Sequence, residues 1–187
     1  MKKGRWLVVF GLLGAVASGS ATAQLYAGGS VGYSQSKDIC DVVVAGVTCD
    51  DNDTAFRVFG GYQFNRYIAL ELGFADLGES TGEGPGGAGF TVEAKEAFDL
   101  TALFSVPVAD RLSLLLRIGA HRTRVTVTDP TRDEGDTSSA FMLGAGAEYT
   151  FGKLGVRAEW VRYDNVSGGT IAESDIDVFS VGLLFRF

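Results

Sequence analysis

The chain contains one histidine, His121, in the segment "IGAHRTR". A histidine can act as the general base for a serine nucleophile, as a lipid-modifying enzyme would require. No serine is adjacent to His121 in the sequence, and Ser30 and Ser139 are the ones that folding could bring near it. Because a buried histidine with satisfied hydrogen bonds is the more common arrangement, the sequence predicts no catalytic residue and no enzyme.

A second group of charged residues shares one phase of period-two alternation. Its members are Arg57, Glu71, Asp99, Arg117, Glu148, Arg157 and Glu159, and Arg186 in the last strand shares the phase. The opposite phase of the same segments has 38 positions without a charge, from Leu25 to Phe187. Charges that face each other away from water are costly unless they pair. Since positive and negative residues are nearly balanced here, the pattern predicts an ion-pair network.

Three further arginines follow the other phase. Arg122 and Arg124 come directly after the apolar residue Ala120, and Arg162 follows Trp160. Guanidinium groups suit the phosphates of anionic lipids, and they also extend to a membrane interface without a specific ligand. Both interpretations stay open from the sequence.

Eight segments of alternating residues must position these groups. They lie near 25–35, 54–64, 67–75, 95–106, 112–125, 139–151, 154–163 and 175–187. No segment has the periodicity of a helix. Three connections are tight, at "NR", "PVADR" and "GK", and the other four are longer and mostly acidic. The spacing of the acidic residues matches no calcium loop, so we expect no metal and no cofactor.

Residues 1–23 have the features of a cleaved secretory signal. Three basic residues precede the apolar run "WLVVFGLLGAVA", and "ATA" precedes Gln24. The predicted mature domain is therefore 24–187, and its net charge moves from −7 to −10 with the loss of the three basic residues, which argues against nucleic acid as a partner. In an oxidising compartment Cys40 and Cys49 would form one disulfide.

The uncharged phase is too continuous and too aromatic for the surface of a soluble sandwich or lipocalin-like barrel. Aromatic residues lie next to the tight turns or at the last strand's end, as in an interfacial girdle: Tyr62, Phe64, Tyr149, Phe151, Phe185 and Phe187. We therefore predict an all-β fold, an eight-stranded antiparallel up-and-down transmembrane β-barrel with lipid outside, a polar lumen, short turns at one end and four longer loops at the other.

With these residues placed, the chain resembles the transmembrane barrel of the outer-membrane protein A family. The resemblance is densest at "GYQFNRYIALELGFADLG" and "LTALFSVPVADRLSLLLRIGA", and it includes "GAGAEYTF", "VRAEW" and the final "FRF". It implies that Glu71, Arg117, Glu148 and Arg157 belong to a network that blocks or gates the lumen. Leu103 stands where the family pattern has a lysine. In the family this lysine takes part in a switch between alternative ion pairs, and a leucine cannot form them. The resemblance also implies periplasmic turns and extracellular loops. We expect the separate periplasmic cell-wall-binding domain of larger relatives to be absent.

These observations predict a non-enzymatic protein of the cell outer membrane with both termini in the periplasm. Its role would be structural or interactive: envelope integrity, or contact with a host or surface ligand through the acidic loops. The alternative is a narrow gated diffusion pore, and a lipid A-modifying enzyme using His121 is less favoured. Expected partners are outer-membrane lipids, lipopolysaccharide and, during biogenesis, the barrel-assembly machinery, for which Phe185 and Phe187 would form the terminal signature.

Overall fold

The computed structural model describes residues 23–36, 48–50, 52–83, 89–93, 96–129, 132–166 and 174–187. No helix among them is long and apolar enough to cross a membrane. The predicted signal segment up to residue 22 and the predicted disulfide partner Cys40 lie outside the described residues, as does the side chain of Cys49. The cleavage and the disulfide therefore stay predictions.

Eleven β-strands make up the described part of the chain. They are β1 (Gln24–Ser36), β2 (Thr48–Asp50), β3 (Asn52–Asn65), β4 (Ile68–Asp76), β5 (Glu79–Glu83), β6 (Gly89–Glu93), β7 (Ala97–Ala109), β8 (Leu112–Asp129), β9 (Arg132–Phe151), β10 (Leu154–Val166) and β11 (Ser174–Arg186). The segments predicted from alternation correspond to the long strands, and β2, β5 and β6 are additional.

The eight long strands close into an antiparallel barrel. Each of them pairs with the next along the chain, and the first pairs with the last, from Tyr26 opposite Arg186 to Ser36 opposite Ile176. Phe187 adds to the closure because its N–H donates to the carbonyl of Leu25 at 3.0 Å. Closure leaves the barrel with no free edge. The predicted eight-stranded up-and-down barrel is confirmed.

The connection predicted as a loop between residues 125 and 139 is mostly strand, which corrects the sequence-based boundary. The ladder between β8 and β9 continues to the pair Asp129 and Arg132. Strands β2, β5 and β6 extend the sheet at this end, with β6 pairing onto β8. Beyond the membrane-facing part both faces of a strand can be polar, so backbone pairing continues without the alternation that identifies a strand in sequence.

The uncharged phase faces outward, as predicted. Its side chains are exposed, and Phe141 at 75% and Leu72 at 66% are among the most exposed. The aromatic residues at the tight-turn end contact each other in pairs along their strands, such as Phe185 and Phe187. A second set of aromatic residues on the predicted outward phase lies at the long-loop end, although it was not predicted as a girdle: Tyr33, Phe56, Phe74, Phe98, Phe141, Trp160 and Phe179.

The two aromatic sets define the height of the apolar wall. On β9 they are represented by Phe141 and Phe151. Ten residues of antiparallel strand span about 34 Å along the strand. A tilt of about 40° reduces this to about 26 Å across the membrane, close to the apolar band of about 25 Å that transmembrane barrels present.

The lumen is not uniformly polar, which corrects the prediction of a polar interior. Apolar inward residues form a lower apolar layer at the tight-turn end, consisting of Tyr26, Phe59, Ala69, Leu103, Leu115 and Leu184. An upper apolar layer at the long-loop end consists of Ala55, Ala75, Leu77, Ala97, Met142, Val161, Tyr163, Val166, Ile176 and Val178. The charged residues on one phase identified the middle of the lumen. At both ends of the lumen the inward residues are apolar like the outward ones, so the sequence shows no alternation there.

Candidate functional site in the barrel lumen

Six neighbouring strands contribute the predicted network residues. Arg57 lies on β3, Glu71 on β4, Asp99 on β7, Arg117 on β8, Glu148 on β9, and both Arg157 and Glu159 on β10. All seven side chains point inward, because each occupies the inward pleat phase of its strand. The barrel thus brings residues far apart in sequence into one layer between the two apolar layers.

Glu71 lies at the centre of this layer and is fully buried. Its Oε1 accepts from the hydroxyl of Tyr26 at 2.8 Å and from Arg157 Nη1 at 2.5 Å. Its Oε2 lies 2.8 Å from Arg117 Nη1 and 3.3 Å from Arg57 Nη1. One carboxylate therefore contacts three guanidinium groups, which makes it the common partner of the network.

Each of the three arginines also has a carboxylate of its own. Arg57 donates to Asp99 at 2.9 and 2.7 Å. Arg117 donates to Glu159 at 2.9 and 3.0 Å from Nη2. Arg157 donates to Glu148 at 3.0 and 2.8 Å. Such forked contacts fix the guanidinium planes as well as the charges.

Arg186 completes the network. The alternation puts it on the charged phase, but it was not predicted as a member of the network. Its Nη2 pairs with Glu148 Oε1, so this carboxylate holds Arg157 with one oxygen and Arg186 with the other. With Arg186 included, four arginines face four carboxylates. The signal was available in the sequence, because Arg186 shares the inward phase of β11 with Leu184, which is buried.

Two inward glycines make room for these side chains. A Cβ at Gly73 would lie 2.5 Å from Arg57 Nη2 and would also collide with Asp99. A Cβ at Gly61 would collide with the ring of Tyr26, the residue that donates to Glu71. Any larger residue at these two positions would displace a member of the network.

Leu103 occupies the place of the family's lysine and lies in the lower apolar layer, 1% exposed. It is directly opposite Arg117 in the ladder between β7 and β8. The lumen cations are therefore all arginines in the described part of the chain. An arginine keeps its charge at every accessible pH.

His121 is buried at the long-loop end of the lumen. Its ring nitrogens lie 2.8 Å from Thr123 Oγ1 and 3.0 Å from the carbonyl oxygen of Asp164. Ser139 is opposite Arg122 on the outward phase, so it faces away from the His121 ring. Within the described residues this histidine has the geometry of a satisfied buried side chain.

The three outward arginines are not equivalent. Arg162 pairs with Asp177 at 2.7 and 3.0 Å and lies over the ring of Trp160. Arg124 approaches Glu96 at 3.9 Å, with both side chains mostly exposed. Arg122 lies between Phe98 on β7 and Ser139 on β9, at the level of the second aromatic set.

Comparison with known proteins agrees with this architecture. The family model of the OmpA-like transmembrane domain matches residues 20–187. The chain belongs to this family. Outer membrane protein A of Klebsiella aerogenes is 29% identical over 170 residues, which cover 87% of this chain and 48% of that protein. Outer membrane protein A of Escherichia coli O157:H7 is 28% identical over 166 residues, covering 87% of this chain and 47% of the relative. The chain thus spans about half the length of these curated relatives.

Solved structures share the fold at low sequence identity. Neisserial surface protein A matches with a TM-score of 0.61 and 14% identity over 87% of this chain and 97% of that chain. The attachment invasion locus protein of Yersinia pestis, solved with the heparin analogue sucrose octasulfate, matches with a TM-score of 0.53 and 16% identity over 88% of this chain and 99% of that chain. Family and fold together place this protein in the outer membrane.

Proposed function

We propose that this protein is a non-enzymatic surface barrel with a closed lumen, which stabilises the envelope and presents acidic loops for contact outside the cell. The observation that carries the closed lumen is the pairing of four arginines with Glu71, Asp99, Glu148 and Glu159. A balanced, paired layer attracts neither cations nor anions into the barrel.

Opening such a lumen would require several changes at once. Separating a buried ion pair costs about 3–5 kcal/mol when one partner is left unpaired. The lower and upper apolar layers would also have to part on either side of the charges. The cavity beside Arg57, Glu159 and Tyr163 measures only about 20 Å³, which is room for about one water molecule.

Conductance of the purified full chain in a planar lipid bilayer tests this proposal. We expect no discrete openings, for the wild type and for Leu103→Ala alike, because the ion-pair layer remains intact in both. Discrete openings in the wild type that disappear in Arg157→Ala would replace the closed barrel with the gated-pore alternative.

The loop sequences suggest the kind of surface that this protein contacts. They contain "CDDND", "DLGESTGEGPGG", "DPTRDEGD" and "AESDID". A negative rim repels polyanions and attracts basic surfaces at low salt. The heparin analogue in the Yersinia structure is therefore a useful contrast, since we expect this chain to prefer cationic partners.

Binding of the full chain in liposomes to immobilised polylysine and to immobilised heparin tests the surface role. We expect retention on polylysine that falls as salt increases, and no retention on heparin. A control with the acidic residues of "DPTRDEGD" changed to their amides should bind polylysine more weakly. Retention on heparin alone would contradict the proposed preference.

The enzyme alternative and the assembly signature have separate tests. Expression of wild type and His121→Ala should leave lipid A composition the same, whereas a modification lost in the variant would establish catalysis.

For the terminal signature, we expect Phe187→Ala to reduce assembly in cells more than folding in detergent, because the barrel-assembly machinery would recognise Phe185 and Phe187. Equal effects in both settings would remove that role.

A further inference from the structure

The outward wall of the barrel carries an open groove of about 740 Å³. Its apolar lining comes from side chains on β3, β4, β7 and β8, including Val58, Leu72, Phe98 and Leu100. Gly60 creates the depression, because it is an outward position without a side chain, directly opposite Leu72. A Cβ added at Gly60 would meet only the carbonyl oxygen of Tyr26, at 3.9 Å.

Arg122 lies at the long-loop end of this groove, with Ser139 beside it. Among the residues that the structure describes, the Arg122 side chain has neither an ion pair nor a hydrogen bond. Arg124 follows on the same face, and its only described carboxylate neighbour is Glu96 at 3.9 Å. The unpaired cation therefore stands where the apolar wall ends and the lipid headgroups begin.

A guanidinium group at this level can take an anionic partner from outside the protein. A charge on the lipid face is destabilising near the midplane and tolerated close to the interface. Arg162, on the same outward phase, is neutralised by Asp177. Arg122 and Arg124 differ from it, because within the described part of the chain neither has a carboxylate that accepts from two of its guanidinium nitrogens. Phosphate matches a guanidinium fork in charge and geometry.

We propose that Arg122 and Arg124 bind the phosphate of an outer-leaflet lipid, and that one acyl chain of the same lipid occupies the groove beside Gly60. The groove and the arginines are continuous, since Arg122 belongs to both. The site is independent of the lumen and of the acidic loops, so it does not rest on the closed-barrel proposal.

The test uses the full chain in phosphatidylcholine nanodiscs, titrated with bisphosphorylated lipid A or with its dephosphorylated form, and read by native mass spectrometry. We expect the phosphorylated lipid to bind the wild type at least about tenfold more tightly than the dephosphorylated lipid. The double variant Arg122→Gln/Arg124→Gln should lose this preference. The control Arg66→Gln/Arg111→Gln removes the same charge at the exposed tight turns and should keep it.

Gly60→Phe tests the acyl chain separately from the phosphate, because it fills the groove and leaves both arginines in place. We expect this variant to bind the phosphorylated lipid several-fold more weakly than the wild type does. Equal loss of binding in the two double variants, or equal binding of the two lipids by the wild type, would overturn the site. Unchanged binding by Gly60→Phe would overturn the acyl assignment, and full competition by inorganic phosphate alone would replace the lipid with a free anion.

Discussion

Two of the three arginines on strand β8 lie in opposite environments. Arg117 faces the lumen, is 1% exposed, and contacts Glu71, Glu159 and the hydroxyl of Thr101. Arg122 faces outward and has no described partner for its charge. The two residues have the same chemistry, the same strand and the same backbone conformation. They differ in pleat phase and in height along the barrel, since Arg117 lies in the ion-pair layer and Arg122 nearer the long-loop end.

The difference shows that burial, not residue type, decides what a charge contributes to this barrel. Inside, the lumen excludes water, so each arginine depends on its carboxylates and each carboxylate on its arginines. Outside, the headgroup region supplies water and phosphate, so an arginine there can be changed without leaving a protein group unpaired. Substitutions on the two faces should therefore differ strongly in their effect on stability.

The largest effect is expected for Arg157→Ala. This variant removes the closest cation of Glu71 and leaves Glu148 with Arg186 alone among the described cations, and we expect the free energy of unfolding to fall by about 3–5 kcal/mol. Urea unfolding of the barrel in lipid vesicles measures it, with Arg66→Ala at an exposed turn as the control. A loss no greater than that of the control would remove the distinction between the two faces.

The second effect concerns the apolar part of the inward face. Leu103→Ala opens a cavity in the lower apolar layer beside Arg117, and we expect a loss of about 2–4 kcal/mol. The outward Leu100→Ala is the matched control on the same strand, since Leu100 is 50% exposed. Its loss should be much smaller in a bilayer, where lipid replaces the missing atoms. Equal losses would mean that lumen packing does not stabilise the barrel.

An intermediate case is the pair Arg162 and Asp177. Its geometry is forked, but the arginine side chain is 33% exposed. A double-mutant cycle with alanine at both positions should give a coupling energy of about 0.2–1 kcal/mol, as for exposed pairs. A coupling as large as that between Arg157 and Glu148 would place this pair with the lumen network.

The smallest effect is expected for Arg122→Gln in a neutral lipid bilayer. Because this side chain has no described protein partner, the urea midpoint should not change measurably. Replacing the neutral bilayer with one that contains a phosphorylated lipid should raise the urea midpoint of the wild type more than that of the variant. A large loss in neutral lipid would indicate that Arg122 supports the fold itself.

Much of the fold could be predicted because the relevant signals are local. Alternation along each strand assigned Leu72 to the outside and Glu71 to the inside, and both assignments are confirmed. The extension of β8 and β9 to Asp129 and Arg132 was missed, since strands with two polar faces have no alternation. The upper apolar layer was missed for the opposite reason, because Met142 and Val178 are apolar inward residues on strands that are also apolar outward.

The sequence by itself determined which residues face lipid and which face the lumen, since the pleat of a strand repeats every two residues. It also determined the family, through motifs that surround Glu71 and Arg157. Only the tertiary structure decided which charges pair. Arg186 reaches Glu148 across β10, and Glu71 collects three arginines, because strand register and closure of the barrel set these distances.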